Sequence, residues 1–456
     1  LYFEPLALED VLAVIQKENI DGVLVQFGGQ TAINLVHDLV EEGVPILGTT
    51  AKAIDKMEDR DAFYQVLDEL EIPHIAGEVV SHYEALKQSA KKIGFPILIR
   101  PSYVIGGQSM FISYNESELL HYVERIEADT NGQCWPLLLD SYLAGIECEA
   151  DVVSDGLDVI IPGIYEHVEK AGVHSGDSMM IFPSVSLTPS IKDKMTKIIQ
   201  GICRKVPIVG VMNIQFIVFQ DEVFVIEVNP RSSRTIPIIS KVTDMPIMEW
   251  GVQVQMGRPL ATLSSELNVM KEPAHYTVKA PIFSAGKLKG VDHVLGPEMK
   301  STGEIIGMGE SLETAMNKVR PDLTSEHLKI FVSITDRYKK DAVSLIDKLA
   351  GKNVSLSATA GTAKYLADAG FNVVEVSNDQ SAIEAHWKKQ QPDVLLNIPT
   401  KGRERGRTGF YLRELATRYG VTCFTSLDTA QAILLAEKPS HIEVCSLNEY
   451  MEKQMV

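Results

Sequence analysis

The sequence predicts a multidomain protein of mixed α/β and α+β class, and three observations lead there. Its 456 residues exceed what one hydrophobic core usually serves. Single strands alternate with helices near both ends, the pattern of a parallel sheet covered by helices. Between those ends, from about Ala51 to Gly257, helices are separated by pairs of strands, the pattern of antiparallel hairpins.

The first segment reads as helix "LEDVLAVIQKEN", strand "GVLVQF", Gly-rich turn "GGQ", helix "TAINLVHDLVEEG" and strand "PILG". This Rossmann-like grammar stops near Thr50, so residues 1–53 are read as a partial α/β subdomain. Residues 54–257 carry the strand pairs "FPILIRPS" with "QSMFISY", "PLLLDSYL" with "ECEADVVSDGLDVIIPGIYEHV", and "VMNIQFIVF" with "VFVIEV". Residues 258–326 show little periodicity and scattered Gly and Pro, which reads as an extension and linker. From "KIFVSI" strand and helix alternate again, predicting a doubly wound parallel α/β domain over 327–456.

A net charge of -18 argues against a nucleic-acid or anionic-membrane surface, because either would need a basic face. No apolar run approaches the roughly 18 residues of a membrane span. The five cysteines are far apart with no CxxC pair, as expected for reduced thiols of a cytoplasmic protein. The chain opens without Met in "LYFEPL", which reads as a piece of something longer.

The stretch "VIEVNPRSSRT" carries the first chemical signal. If Gln220 to Glu222 form the loop of the preceding hairpin, counting back pairs Gln215 with Glu227 and Asn213 with Asn229. Side chains two apart share a face, so these four form one polar patch. A solvated sheet face would show the same pattern. Carboxylate and amide oxygens are also hard donors suited to Mg²⁺, and Arg231 and Arg234, just past Pro230, offer forked donors to phosphoryl or carboxylate oxygens.

Further signals flank it. In "PSYVIGGQSMFIS", Gly106 and Gly107 form either a hairpin turn or a loop that brings backbone N–H groups to phosphate, with Arg100 beside it. "EKAGVHSGDS" clusters His174, Ser175 and Asp177 in a Gly-punctuated loop. "MEDRDAF" places Arg60 in the first turns of a helix, where most arginines are solvated. "LLLDSYLAGIE" is a strand running into a small-residue bend, which suits either an edge turn or a hinge that reads a flat base.

Taken together and in this order, these motifs resemble an ATP-grasp domain. The similarity is closer to the carboxy-terminal half of the large chain of carbamoyl-phosphate synthetase, and it extends over "LYFEPLALEDVL", "VQFGGQT", "LGPEMKSTGE" and "SATAGTA". The resemblance implies a partial pre-ATP-grasp subdomain, an ATP-grasp domain with its extension, and a methylglyoxal-synthase-like regulatory domain. It implies ATP-dependent phosphorylation of carbamate to carbamoyl phosphate with Mg²⁺ or Mn²⁺, for arginine or pyrimidine biosynthesis. A glutamine amidotransferase small chain is the implied partner, and homo-oligomerisation is compatible with it.

By motif matching, Arg60, Arg100, Gly106, Gly107, Gly172, Val173, His174 and Ser175 should contact ATP, with Ser141 and Leu143 at the adenine and Glu147 at the ribose. Gln215, Glu227 and Asn229 match metal ligands, the first two also reaching ATP, and Arg231 and Arg234 match the arginines near carbamate and the transferring phosphoryl group. Thr359, Gly361 and Thr362 of "SATAGTA", with Lys339 and Asn397, match an allosteric anion site.

A complete large chain has an earlier homologous half, so the expectation is a piece competent at most for the second half-reaction. The Lys-containing Gly-Arg-Pro-type loop expected after "NVVEVS" is absent and Pro399 stands where a hydroxyl residue is common. Both departures point away from uridylate or inosinate control and toward an arginine-pathway form. The alternatives are a non-catalytic regulatory or assembly module, or another ATP-grasp ligase such as a biotin carboxylase or amino-acid ligase. The carboxy-terminal α/β domain argues against the latter.

Overall fold

The structure, a computed structural model, describes residues 1–101, 110–284, 292, 294–320, 323, 327–349, 351–399, 406–437 and 446–454. In the first segment, helix Leu8–Glu18 is followed by two short helices, Gly29–Ile33 and Val36–Glu41. The two strands expected there shrink to one parallel bridge between Val23 and Ile46. Among the described residues each run pairs with the other alone, and an isolated two-stranded pair is marginal.

The predicted middle domain resolves into two sheets. A four-stranded antiparallel sheet runs in the order Gly77–Val80, Leu137–Ser141, Ile97–Pro101, Phe111–Ser113. Helices Tyr83–Ile93 and Glu116–Asp129 supply Leu86, Leu119 and Val123 to a core it shares with Ile97, Ile99 and Leu139. A nine-stranded sheet has the order Glu222–Asn229, Val209–Phe219, Ile146–Asp155, Ile164–Lys170, Met180–Phe182, Tyr276–Ile282, Gly303–Gly309, with two short strands off this path.

This corrects the expected pairing of "PLLLDSYL" with "ECEADVV". Leu137–Ser141 pairs with Gly77–Val80 and Ile97–Pro101, whereas Ile146–Asp155 pairs with Val209–Phe219 and Ile164–Lys170. The bend between them carries the chain from one sheet to the other. It passes so close to the larger sheet that a Cβ on Gly145 would lie 2.4 Å from the Val218 carbonyl oxygen.

The extension is also corrected. Residues 258–326 are not featureless: they give three strands of the large sheet, the short Asn268–Val269 and the longer Tyr276–Ile282 and Gly303–Gly309, and the helix Leu312–Val319 that covers the longer two. Tyr276–Ile282 pairs with Gly303–Gly309 across some twenty residues, so no short turn signals the hairpin.

The large sheet is amphipathic. Helix Pro189–Lys205 starts at Thr188, whose hydroxyl accepts the Ile191 N–H, with Pro189 in the first turn where no donor is needed. Its Ile191, Met195, Ile199 and Ile202 recur at helical spacing and are buried against Cys148, Ala150, Ile214 and Phe216. Truncating Ile199 to Ala here would cost about 2–5 kcal/mol. The opposite face carries polar residues.

The carboxy-terminal domain has five parallel strands in the order Val373–Val376, Val354–Thr359, Leu328–Ile334, Val394–Ile398, Thr422–Phe424. The order reverses between Leu328–Ile334 and Val394–Ile398, the place where doubly wound sheets take ligands. This domain docks on the large sheet: Thr429 Oγ1 donates to Glu169 Oε1 at 2.5 Å, and the Leu295 N–H to Thr425 Oγ1 at 3.1 Å. No helix among the described residues is long and apolar enough to cross a membrane.

Candidate active site

Three adjacent strands build the floor of the site. Register places Glu149, Gln215 and Glu227 in one cross-strand row and Asp151, Asn213 and Asn229 in the next. The hairpin loop is Gln220-Asp221 alone, both at positive φ (52° and 62°), one residue shorter than expected. A bulge between Val225 and Glu227 restores the missing residue, so Gln215 still faces Glu227.

A simply solvated face does not describe this floor, because Glu149, Asp151 and Asn213 are 2%, 0% and 3% exposed. Asn213 Nδ2 donates to Asp151 Oδ1 at 3.0 Å and Asn229 Nδ2 to Glu227 Oε1 at 2.9 Å. The Gln215 amide nitrogen lies 3.3 Å from Ser175 Oγ, so its carbonyl oxygen keeps its lone pairs. Burial, with Glu149 adding to it, pushes the Asp151 carboxyl up to about 7.

At the end of Glu222–Asn229 the chain turns through Pro230 into the two arginines. Arg231 donates to Gln30 Oε1 at 3.0 Å and to Asn229 Oδ1 at 3.2 Å. Arg234 pairs with Glu304 at 2.9 Å and bonds Ser301 Oγ at 3.1 Å. The turn is stapled to the first segment by buried Gln26, whose Nε2 donates to the Pro230 carbonyl and whose own carbonyl accepts the Ser232 N–H at 2.8 Å.

Opposite lies the turn of His174 and Ser175–Asp177. His174 Nδ1 accepts the Gly176 N–H at 3.0 Å, so the neutral ring carries its proton on Nε2. Burial holds this imidazole below its usual range, in favour of that neutral form. Lys279, 1% exposed, donates to the carbonyls of Ser175, Gly176 and Ser178 at 3.0–3.1 Å. Asp177 accepts the N–H groups of Lys300 and Ser301, clamping the turn to "EMKS".

Beside the smaller sheet, Arg60 and Arg100 share the buried carboxylate of Asp140. A Cβ on Gly77 would lie 2.1 Å from Asp140 Oδ1, so glycine there keeps room for the pair. Ser141 ends its strand beside them, and Leu143 lies half-buried in the bend. Glu147 Oε1 accepts the Gly172 N–H at 3.1 Å, and its Oε2 lies 3.2 Å from His167 Nδ1. Gly172 has φ +104°, and Val173 follows it half-buried. Gly106 and Gly107 lie outside the described residues.

The fold therefore brings Gln215, Glu227, Asn229, Arg231, His174 and Ser175 together, and gathers Arg60, Arg100 and Ser141 at the smaller sheet. Sequence reasoning missed Asp140, Asp151 and Lys279 as members of these groups. Asp140 and Lys279 are each the one charged residue of a largely apolar strand ("LLLDS", "YTVKAPI"), and Asp151 is the third carboxylate in an alternating row with Glu147 and Glu149 ("ECEADVV"), which are the signals that mark them.

Comparison with known proteins bears on the whole chain. Residues 1–56 match the carbamoyl phosphate synthase preATP-grasp domain, 59–263 the ATP-binding domain of the carbamoyl-phosphate synthase L chain, and 341–425 the MGS-like domain. The carbamoyl phosphate synthase large chains of Clostridium botulinum strains Langeland and Loch Maree are each 43% identical over 95% of this chain. The chain belongs to the carbamoyl-phosphate synthase large-chain family. It spans 41% of the length of those two relatives.

The family's ATP-grasp architecture recurs in solved structures. The biotin carboxylase domain of Hydrogenobacter thermophilus 2-oxoglutarate carboxylase, in complex with MgADP, ADP and bicarbonate, superposes with a TM-score of 0.56 at 20% identity, over 70% of this chain and 78% of that one. A Campylobacter jejuni biotin carboxylase–β,γ-ATP complex gives 0.54 at 16%, over 69% and 76%. At these identities the likeness is one of fold.

In the MGS-like domain of this carbamoyl-phosphate synthase relative, the expected anion residues gather at the reversal of strand order but bond neighbouring protein groups. Lys339 donates to the Gly361 carbonyl at 2.9 Å and pairs with Asp336 at 2.7 Å. Asn397 donates to the Ser333 carbonyl and accepts from Arg413 at 2.6 Å. Thr359 lies 3.3 Å from Ser333 Oγ, and Thr362 accepts the Ile334 N–H at 3.1 Å.

Proposed function

We propose that this chain phosphorylates carbamate at the expense of ATP, giving ADP and carbamoyl phosphate. The observation that carries the reading is the convergence of the Gln215–Glu227–Asn229 oxygen floor and the Arg231–Arg234 turn opposite the His174–Asp177 turn. The matched relatives are carbamoyl phosphate synthase large chains, and a fold neighbour was solved with MgADP and bicarbonate, a carbamate-shaped anion.

Carbamate is already an oxygen nucleophile, so the chemistry needs alignment and charge neutralisation more than a base. Arg231 and Arg234 would meet the oxygens of carbamate and of the phosphoryl group in flight. Arg60 and Arg100, braced by Asp140, would meet the nucleotide phosphates. Ser141 and Leu143 would border the base, Glu147 the ribose, and Gly172, Val173, His174 and Ser175 would close the nucleotide in. His174 Nε2–H is a donor free of charge, suited to an anionic oxygen.

Gln215, Glu227 and Asn229 supply hard oxygen donors that fit Mg²⁺ or Mn²⁺. When bound, the ion would neutralise charge on the phosphate oxygens. A glutamine amidotransferase small chain as partner, an arginine or pyrimidine destination for the product, and Lys339, Thr359, Thr362 and Asn397 as an effector site belong to the same reading. Cys134, Cys148, Cys203 and Cys423 are free thiols, which suits a cytoplasmic setting.

The test runs the step backwards: given ADP, Mg²⁺ and carbamoyl phosphate, the chain forms ATP, and Glu227→Ala lowers the rate by about 100-fold or more. Equal rates in the two proteins would remove the metal assignment. Heat of MgATP binding without any turnover would instead favour an assembly module.

A further inference from the structure

We propose that Asp151 is a positioning residue that fixes the Arg231–Arg234 turn to the floor of the site. The inference rests on the reading of that floor and turn as a phosphoryl-transfer site. Asp151 lies in strand Ile146–Asp155, opposite Asn213, and is wholly buried. Its Oδ1 accepts two hydrogen bonds, one at 3.0 Å from Asn213 Nδ2 on the neighbouring floor strand and one at 2.7 Å from Ser233 Oγ.

Ser233 stands between the two arginines. Its single proton goes to Asp151, and its oxygen accepts the N–H groups of Thr235 and Ile236 at 3.1 and 3.2 Å. The Thr235 hydroxyl lies 2.8 Å from Ser233 Oγ. Helix Ile236–Thr243 has no side-chain cap from its own N-cap residue, and Ser233 supplies one of its missing acceptors. A continuous path thus runs from Asn213 on the floor, through Asp151 and Ser233, to the start of the helix that follows the arginines.

Two features separate this from ordinary packing. Asp151 Oδ2 meets no hydrogen-bond donor among the described residues, whereas buried polar atoms that serve structure alone are normally satisfied. The path also joins residues 82 apart in sequence. A displacement of about 1 Å of reacting groups costs on the order of 100-fold in rate, so a clamp on the arginine turn acts on turnover before it acts on nucleotide affinity.

The test measures ATP formation from MgADP and carbamoyl phosphate in the whole chain, with circular dichroism melts to show that each variant is folded. Ser233→Ala and Asp151→Ala should each lower kcat by about 10–100-fold while KM for MgADP changes less than about two-fold. The double variant should be no worse than the weaker single one, since both cut one path. Asp151→Asn, which keeps the accepting oxygen, should recover to within about five-fold of wild type. Wild-type kcat in folded Ser233→Ala, effects that multiply in the double variant, or a rise in KM alone would overturn the positioning role. A wild-type chain that forms no ATP would instead reject the phosphorylation reading, and this inference with it.

Discussion

The ATP-grasp site and the ligand crevice of the carboxy-terminal domain were equally visible as motifs, yet they differ in the valence they have left. In the first, the Gln215 carbonyl oxygen and the His174 Nε2–H keep bonding capacity after their internal contacts. In the second, Lys339, Thr359, Thr362 and Asn397 are already bonded to Asp336, Gly361, Ser333, Ile334 and Arg413, with one of the three Lys339 N–H donors left over. Matching residue types to a family pattern therefore says less than asking what those residues are already bonded to. An anion entering the crevice has to compete with bonds most of these groups already make, whereas the Gln215 oxygen and the His174 Nε2–H can take a ligand without breaking one.

Lys279 gives the sharpest way to break that contrast, because it holds the His174–Asp177 turn from below without facing a ligand. Lys279→Met should leave three carbonyls without their charged donor, costing about 3 kcal/mol or more. That corresponds to a fall of about 6–12 °C in Tm, and ATP formation should fall with it. A variant that melts and turns over like wild type would mean that the turn holds itself.

His167 offers a middle-sized test of the floor's electrostatics. Burial opposes its charge, but the carboxylates of Glu147 and Glu149 at 3.2 and 3.8 Å outweigh it and raise the imidazole to about 9. The native state then holds this proton more tightly than the unfolded chain, whose pKa is near 6.5. The resulting stabilisation is complete below about 6.5 and is lost as pH rises through about 9. Melting curves between those pH values should fall more steeply for wild type than for His167→Gln, and parallel slopes would show that the proton is not held.

The smallest effect belongs to the crevice. Asp336→Ala releases the Lys339 ammonium from an exposed partner, and such pairs are worth at most about 1 kcal/mol. Titration with inorganic phosphate should therefore tighten by no more than about five-fold. Saturable micromolar binding of phosphate to the unaltered chain would erase the distinction between the two regions.

Much of the architecture was legible because strand alternation and paired strands leave local marks. The floor was legible for a partly mistaken reason. A loop taken as three residues has two, and the bulge before Glu227 supplies the difference, so two one-residue errors cancel. Gln220-Asp221 carries no glycine, although both residues take the left-handed conformation a two-residue turn needs, which is why its length was misread. Lys279 and Asp177 act on residues about 100 or more positions away, and Gln26 reaches Pro230 across 204. No local pattern encodes such contacts. Only for Lys279 does the oddity of a charge among apolar neighbours hint at them.

The two longer strands contributed by the extension also matter for anyone wishing to express the ATP-grasp portion alone. The family match to the ATP-binding domain stops at residue 263, yet Tyr276–Ile282 is hydrogen-bonded to Met180–Phe182 and brings Lys279 with it. A chain ended at 263 would bare the backbone of Met180–Phe182, three buried residues, as an open apolar edge. Such an edge is an invitation to strand exchange and precipitation. Soluble expression should begin only with chains that continue past Gly309, the end of the strand that in turn covers Tyr276–Ile282.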